Sequence, residues 1–257
     1  MRIFVAQMDT IVIIPTYNNA GTVADVVRRA QAQGLPVLVV DDGSTDGTHE
    51  VLAEFPVGGQ NGTRDVLAGI QGIRVLRHER NRGKSAALKT GFKEAERLGY
   101  SFAITLDSDG QHYPEDIPQM LENKADNTLL VGSRSITGID GKSRFANKFS
   151  NFWFRLYTWV DLPDTQTGYR MYPLKSLPMF AGTRYEGELL ILVLSAWKGI
   201  TLKPVPVRVS YPEDRVSHFR PFRDFARITV LNIVLLFCAI FYGWPRMLAK
   251  IRSPKGD

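Results

Sequence analysis

The sequence predicts an α/β fold: a mixed, mainly parallel central sheet flanked by helices. Three observations carry this. Short apolar runs alternate with amphipathic stretches through the first half of the chain, the apolar runs are continuous, and each ends in a cluster of polar residues. Continuously apolar strands belong to sheets covered on both faces, and strand–helix alternation is the pattern of parallel crossovers.

In chain order, Ile11–Pro15 and Pro36–Val40 are β-branched runs and read as the first two strands. Amphipathic patterns at about Gly21–Gln33 and Thr48–Phe55 read as the helices that follow them. Pro56–Gly72, "PVGGQNGTRDVLAGIQG", is glycine-rich and reads as a surface loop or insertion. A third strand, Ile73–Arg77, precedes a helix over Ser85–Leu98; a fourth, Phe102–Leu106, precedes one over Glu115–Lys124; Leu129–Gly132 is the fifth strand. Residues 143–200 mix helical patterns with "DTQTGYRMYPL". "PVPVRVSY", Pro204–Tyr211, reads as a late edge strand, because its prolines are poorly tolerated centrally.

A chain of 257 residues with 44% hydrophobic and 23% charged residues has the composition of an ordinary globular protein. Its one cysteine, Cys238, excludes a disulfide framework and fits a reducing compartment. No apolar run with a small-residue cleavage site opens the chain, so no signal peptide is expected and the protein is read as cytosol-facing. The net charge of +6 lies entirely in Lys203–Asp257, where ten Lys/Arg stand against four Asp/Glu; residues 1–202 carry 22 of each sign. A nucleic-acid binder would spread a basic face over the main domain, so none is expected here. The charge brackets the most apolar segment, which points to a membrane surface.

In parallel sheets ligands sit at the carboxyl ends of the strands. There lie "PTYNN", "DDGSTDGT", "HERNRGKS", "DSDGQH" and "GSR". Read as a calcium loop from Asp42, "DDGSTDGT" puts Ala53 where a bidentate Glu is required. A helix cap by Ser44 or Asp46 remains open, but leaves unexplained the carboxylates at the end of an apolar strand. "RGKS" is not a P-loop, since His78 stands where the first glycine belongs. Gly83–Lys84 at a helix start still suits a diphosphate, through backbone N–H groups and one cation; a solvated helix start is the bland alternative. No G-x-G-x-x-G follows the first strand, so a nicotinamide dinucleotide is not expected. "DSDGQH" fails as a calcium loop as well. As a D-x-D pair, Asp107 and Asp109 can share one Mg²⁺ or Mn²⁺ and leave its other positions to phosphate oxygens, with Gln111 or His112 as a further ligand.

Together "IVIIPTYNN", "VVDDGSTDGT", "NRGKSAALKTGF", "ITLDSDGQHYPEDI", "LLVGSR" and "DTQTGYRMYP" resemble the family 2 glycosyltransferases of GT-A fold, in the branch of the dolichyl- and polyprenyl-phosphate mannose or glucose synthases. The resemblance covers roughly residues 11–210 in consecutive order. It implies that Pro15, Tyr17, Asn18 and Asp42 line the nucleotide, with Gly83, Lys84 and Ser108 completing the donor site. It implies Asp107, Asp109 and Gln111 around the metal. Arg134 and Arg144 match arginines that face an acceptor phosphate. Asp164, Gly168 and Arg170 match an element at the sugar pocket, where this chain has Tyr169 as the aromatic. Arg215 or Arg220, in "RVSHFR", stands where the family has a loop closing over the diphosphate, although the usual Gly/Ser/Lys form is absent.

The implied reaction is inverting transfer of a hexose from a GDP- or UDP-linked donor to polyprenyl phosphate. An anionic acceptor needs arginines for positioning more than it needs a base. A hydroxyl acceptor on a glycolipid or polysaccharide precursor needs a carboxylate base, for which Glu186 and Glu188 are the candidates; Glu186 also suits a helix start electrostatically. A sugar-nucleotide-binding protein without catalysis is the non-enzymatic alternative.

A catalytic domain over 1–212 and a membrane-associating segment over 213–257 are expected. Ile228–Trp244 has 17 residues with only Asn232 clearly polar, about 25 Å as a helix and at the short limit for a span. Basic residues flank it on both sides, so it reads as lying in the interface or re-entering from the cytoplasmic face. A core helix or a homo-oligomer interface are the alternatives.

Overall fold

The structure is a computed structural model that describes residues 9–56, 73–134, 141–180, 186–210 and 221–252; at 141–146, 221–228 and 250–252 it describes the backbone alone. In chain order the elements are β1 (Thr10–Thr16), α1 (Val23–Gln31), β2 (Val37–Asp41), α2 (Thr48–Ala53), β3 (Ile73–Arg77), α3 (Lys84–Arg97), β4 (Phe102–Thr105), α4 (Ile117–Glu122) and β5 (Thr128–Arg134). Then follow α5 (Gly141–Thr158), β6 (Arg170–Pro173), α6 (Glu186–Lys198), β7 (Thr201–Val207), α7 (Pro221–Cys238) and, after one π-helical turn, α8 (Trp244–Arg252). The glycine-rich loop expected over Pro56–Gly72 lies, from residue 57 on, outside the described residues.

Seven strands form one sheet in the order β3-β2-β1-β4-β6-β5-β7. All run parallel except β6, which is antiparallel to both β4 and β5. Successive side chains of a strand point to opposite faces. Val12 and Ile14 therefore pack with Val23, Val26, Leu52 and Met120, and Ile11 and Ile13 with Leu88, Phe92, Phe154 and Leu192. Both faces are covered, which is why the strands read as unbroken apolar runs.

Two strands differ from expectation. β6 was not foreseen as a strand, because "RMYP" is short and its stability comes from complete burial between β4 and β5. Its reversed direction brings the segment before Arg170 to the rim where the parallel strands end. β7 begins at Thr201, ahead of the expected Pro204, and ends at Val207. Val205 and Val207 face inward while Pro204 and Pro206 face solvent, which is how an edge strand accommodates proline.

The α7–α8 helix lies along the body. Leu235 and Ala239 enter the second core cluster. The Tyr157 hydroxyl donates to the backbone carbonyl or side-chain oxygen of Asn232, each at 3.0 Å, and Trp244 Nε1 donates to the Leu156 carbonyl at 3.3 Å. Gly243 is required by close approach: a Cβ there would sit 2.3 Å from the Trp197 ring. The opposite stripe, Val230, Ile233, Val234, Phe237 and Phe241, is exposed, as are Phe152 of α5 and Trp159 just past its end.

Candidate active site

Three loops at the carboxyl rim are tied into one surface by short polar side chains. The Asn18 N–H donates to Ser44 Oγ (3.0 Å), the Thr45 N–H to Asn18 Oδ1 (2.8 Å), and Asn19 Nδ2 to Ser108 Oγ (2.9 Å). Asn18 adopts φ of 54°, a left-handed turn that asparagine tolerates. Gly43 has φ of 74°, and a Cβ there would lie 2.5 Å from the Arg80 backbone, so only glycine lets the loop after β3 close on the loop after β2. Pro15 is buried within β1 and Tyr17 is exposed at its end.

Asp42 is buried and turned inward. Its carboxylate accepts the N–H groups of Arg82 (3.0 Å) and Gly83 (2.7 Å) and contacts His78 Nδ1 at 2.6 Å; His78 Nε2 meets Thr90 Oγ1 at 2.9 Å. Asp42 thus shapes the start of α3 rather than opening onto the rim. His78 and Thr90 carry no motif, which is why sequence reasoning passed over them.

At the head of α3, Lys84 Nζ lies 2.5 Å from Asp107 Oδ1 and 3.1 Å from Glu188 Oε2. Burial disfavours the ammonium, but the two carboxylates outweigh it and raise its pKa. Burial likewise opposes the Asp107 carboxylate, and the Lys84 ammonium overcomes it, so its pKa is lowered. Asp109 is exposed and its pKa is raised, by desolvation and then by the like charge of Asp107. His112 accepts the Asp107 N–H at Nδ1 (3.1 Å), and burial lowers its pKa. It is therefore a neutral imidazole with Nδ1 already engaged. The Gln111 N–H donates to Asp109 Oδ1 at 3.0 Å, and its carbonyl accepts from Ser210. Among the described residues no three His, Cys, Asp or Glu converge as a metal cage. The donor set is two carboxylates, which suits a hard cation that takes its other ligands from phosphate.

Gly168 arrives at this point because β6 runs backwards. A Cβ there would sit 2.6 Å from Asp107 Oδ2 and 2.8 Å from Lys84 Nζ. Gly168→Ala is expected to displace this ion pair and lower turnover about 10²-fold, with the melting temperature nearly unchanged, as steady-state kinetics and calorimetry will read.

The arginines divide by position. Arg134, at the end of β5, binds Asp164 with two parallel hydrogen bonds, Nη2 to Oδ1 at 2.9 Å and Nε to Oδ2. Arg170 is fully buried; Nη1 donates to the Glu188 carbonyl (2.7 Å) and Nη2 to the Thr165 carbonyl (3.0 Å). It is a positioning residue for Glu188 and the 164–168 segment, and its charge also helps to lower the Asp107 pKa. Arg144 lies in the first turns of α5, where only the backbone is described, and Arg215 and Arg220 fall outside the described residues. Glu186 begins α6, half-buried and with no ion pair among the described residues, whereas Glu188, two residues on, is the carboxylate that reaches Lys84.

Comparison with known proteins agrees with this geometry. Residues 11–177 match glycosyl transferase family 2. The chain is 28% identical over 218 residues to UDP-N-acetylglucosamine–dolichyl-phosphate N-acetylglucosaminyltransferase of Methanococcus voltae, covering 78% of this chain and 85% of the relative. It is 33% identical over 173 residues to polyprenol monophosphomannose synthase of Mycolicibacterium smegmatis, covering 63% and 61% of the two chains. Among solved structures, glucosyl-3-phosphoglycerate synthase of Mycobacterium tuberculosis, in complex with Mn²⁺, UDP and glucosyl-3-phosphoglycerate, superposes with a TM-score of 0.61 at 17% identity over 92% of this chain and 82% of that one. That likeness speaks to the fold, a GT-A sheet. With strand order, rim carboxylates and sequence match in agreement, this chain belongs to glycosyl transferase family 2 and is a glycosyltransferase.

Proposed function

We propose that the protein transfers a hexose, with inversion, from a nucleotide-diphosphate sugar to a polyprenyl phosphate at a membrane surface. The observation that carries this reading is the Asp107/Asp109 pair at the end of β4, beside the Lys84 ammonium, on a body that presents an exposed apolar helix. Relatives whose names state polyprenyl- or dolichyl-phosphate acceptors support it.

Asp107 and Asp109 would hold the Mg²⁺ or Mn²⁺, with Gln111 beside Asp109. A bound divalent ion neutralises the departing diphosphate. Tyr17 and Asn18 receive the nucleoside; Asp42 fixes the turn at Gly83, and Lys84 presents a second cation to the diphosphate. Glu188 restrains Lys84 from the far side. Arg134 and Arg144 meet the acceptor phosphate, which is anionic and needs alignment more than deprotonation, while Arg215 is assigned to the donor diphosphate. The choice against a hydroxyl acceptor rests on Glu188: this buried carboxylate of the rim is engaged by the Lys84 ammonium.

Transfer from radiolabelled donor is expected with polyprenyl phosphate and not with diacylglycerol, giving a product that releases its sugar in mild acid. An acid-stable product would sink the proposal in favour of a hydroxyl acceptor.

Residues 213–257 serve as the membrane-associating part. A helix held at Asn232, Ala239, Gly243 and Trp244 against the body lies parallel to a bilayer rather than across it. Cysteines placed at Thr229 and Leu248, in a Cys238→Ser background, are expected to react with an impermeant maleimide from the same side of sealed vesicles. Labelling from opposite sides would establish a span instead.

A further inference from the structure

Beside the donor rim lies a basic cavity that the reaction described above does not use. Its volume is about 600 Å³, and it is lined by Arg80, Asn81 and Arg82 from the turn after β3 and by Ala86, Lys89, Thr90 and Lys93 from one face of α3. No carboxylate lines it. The neighbouring arginines are ion-paired elsewhere, Arg74 and Arg97 sharing Glu94 and Arg77 meeting Asp41. Arg80, Arg82 and Lys93 form no ion pair among the described residues. Lys89 lies 4.9 Å from the centre of the Phe180 ring. Residues 1–202 are charge-balanced as a whole, so four cations around one concavity are a local concentration.

We infer that this cavity is a second anion site, for a phosphate-bearing ligand larger than inorganic phosphate and bound without the donor's metal. Arginine forks and ammonium groups around a concavity with hydroxyl and amide donors are the chemistry of phosphate recognition. A volume of this size accommodates an organophosphate or the phosphate end of a lipid headgroup. The site is wired to the donor rim. Thr90 on its wall bonds His78, His78 bonds Asp42, and Asp42 holds the Arg82 and Gly83 N–H groups that immediately precede Lys84. An anion drawing on Arg82 and Thr90 therefore acts on the turn that delivers Lys84 to Asp107.

The test titrates the full chain with pyrophosphate in EDTA at low ionic strength, by calorimetry. Wild type and Lys84→Met are expected to bind with equal affinity within twofold, and Arg80→Glu/Lys93→Glu at least tenfold more weakly. Both substituted residues of the double variant are exposed, and its melting curve will check that it is folded. Competition by UDP, or loss of binding in Lys84→Met, would place the anion in the donor site and overturn the inference; undiminished binding in the double variant would also overturn it. Co-sedimentation with phosphatidylcholine vesicles, with and without phosphatidylglycerol, separates the sources. A severalfold loss confined to the anionic vesicles in the double variant identifies a lipid headgroup. Unchanged sedimentation with weakened pyrophosphate binding identifies a soluble organophosphate.

Discussion

Asp109→Asn is expected to lower kcat by about 10²–10³-fold, the scale on which a single group stabilising developing charge acts. The substitution keeps the side-chain volume and the acceptor for the Gln111 N–H, and removes only the charge. Steady-state transfer by the full chain measures it; turnover at the wild-type rate would refute the cation-site assignment and reopen the non-catalytic reading. The same variant is expected to be slightly more stable than wild type at neutral pH. Because local desolvation and then the like charge of Asp107 raise the Asp109 pKa, ionising this exposed, solvent-screened carboxylate works weakly against the fold. That penalty is absent below the ordinary carboxylate pKa and develops as pH rises through the raised value. The gain in melting temperature should therefore appear above the carboxylate range and vanish in acid. A residue that opposes stability and supports turnover is what a cation site predicts.

Arg170→Ala has the largest expected effect on stability, about 3–5 kcal/mol, because it opens a fully buried cavity and leaves the carbonyls of Thr165 and Glu188 without their donor. At roughly 2–4 °C per kcal/mol for a domain of this size, the melting temperature falls by about 10 °C. Lysine is not expected to restore it: one ammonium cannot span two carbonyls that the guanidinium reaches with separate nitrogens. A melting curve matching wild type would show that Arg170 is dispensable to the fold.

These two residues also mark how far the sequence was legible. Asp109 stands four residues beyond the end of β4, so its place on the rim depends on strand direction and on the rule that parallel strands end together. The same holds for Tyr17 and Arg134. Arg170 was read as a sugar-pocket residue from its motif, yet it is buried. Its position depends on β6 running antiparallel between strands distant in sequence, and no local pattern in "RMYP" encodes that. Asp42 follows the same logic: its strand end was foreseen, but its inward turn toward Arg82 and Gly83 needed the loop after β3 to close over Gly43.

The sequence by itself determined the alternation of strands and helices, the apolar faces that make the sheet two-sided, the polar strand ends, and the basic flanks of a C-terminal apolar helix. Each of these is local, set by side-chain chemistry at period two or 3.6 along the chain. The tertiary structure alone decided the pairing of Lys84 with Asp107 and Glu188, the approach of Gly168, the burial of Arg170, and the helix lying flat along the body. Those depend on contacts between segments tens of residues apart, where packing and desolvation, rather than propensity, choose the partner.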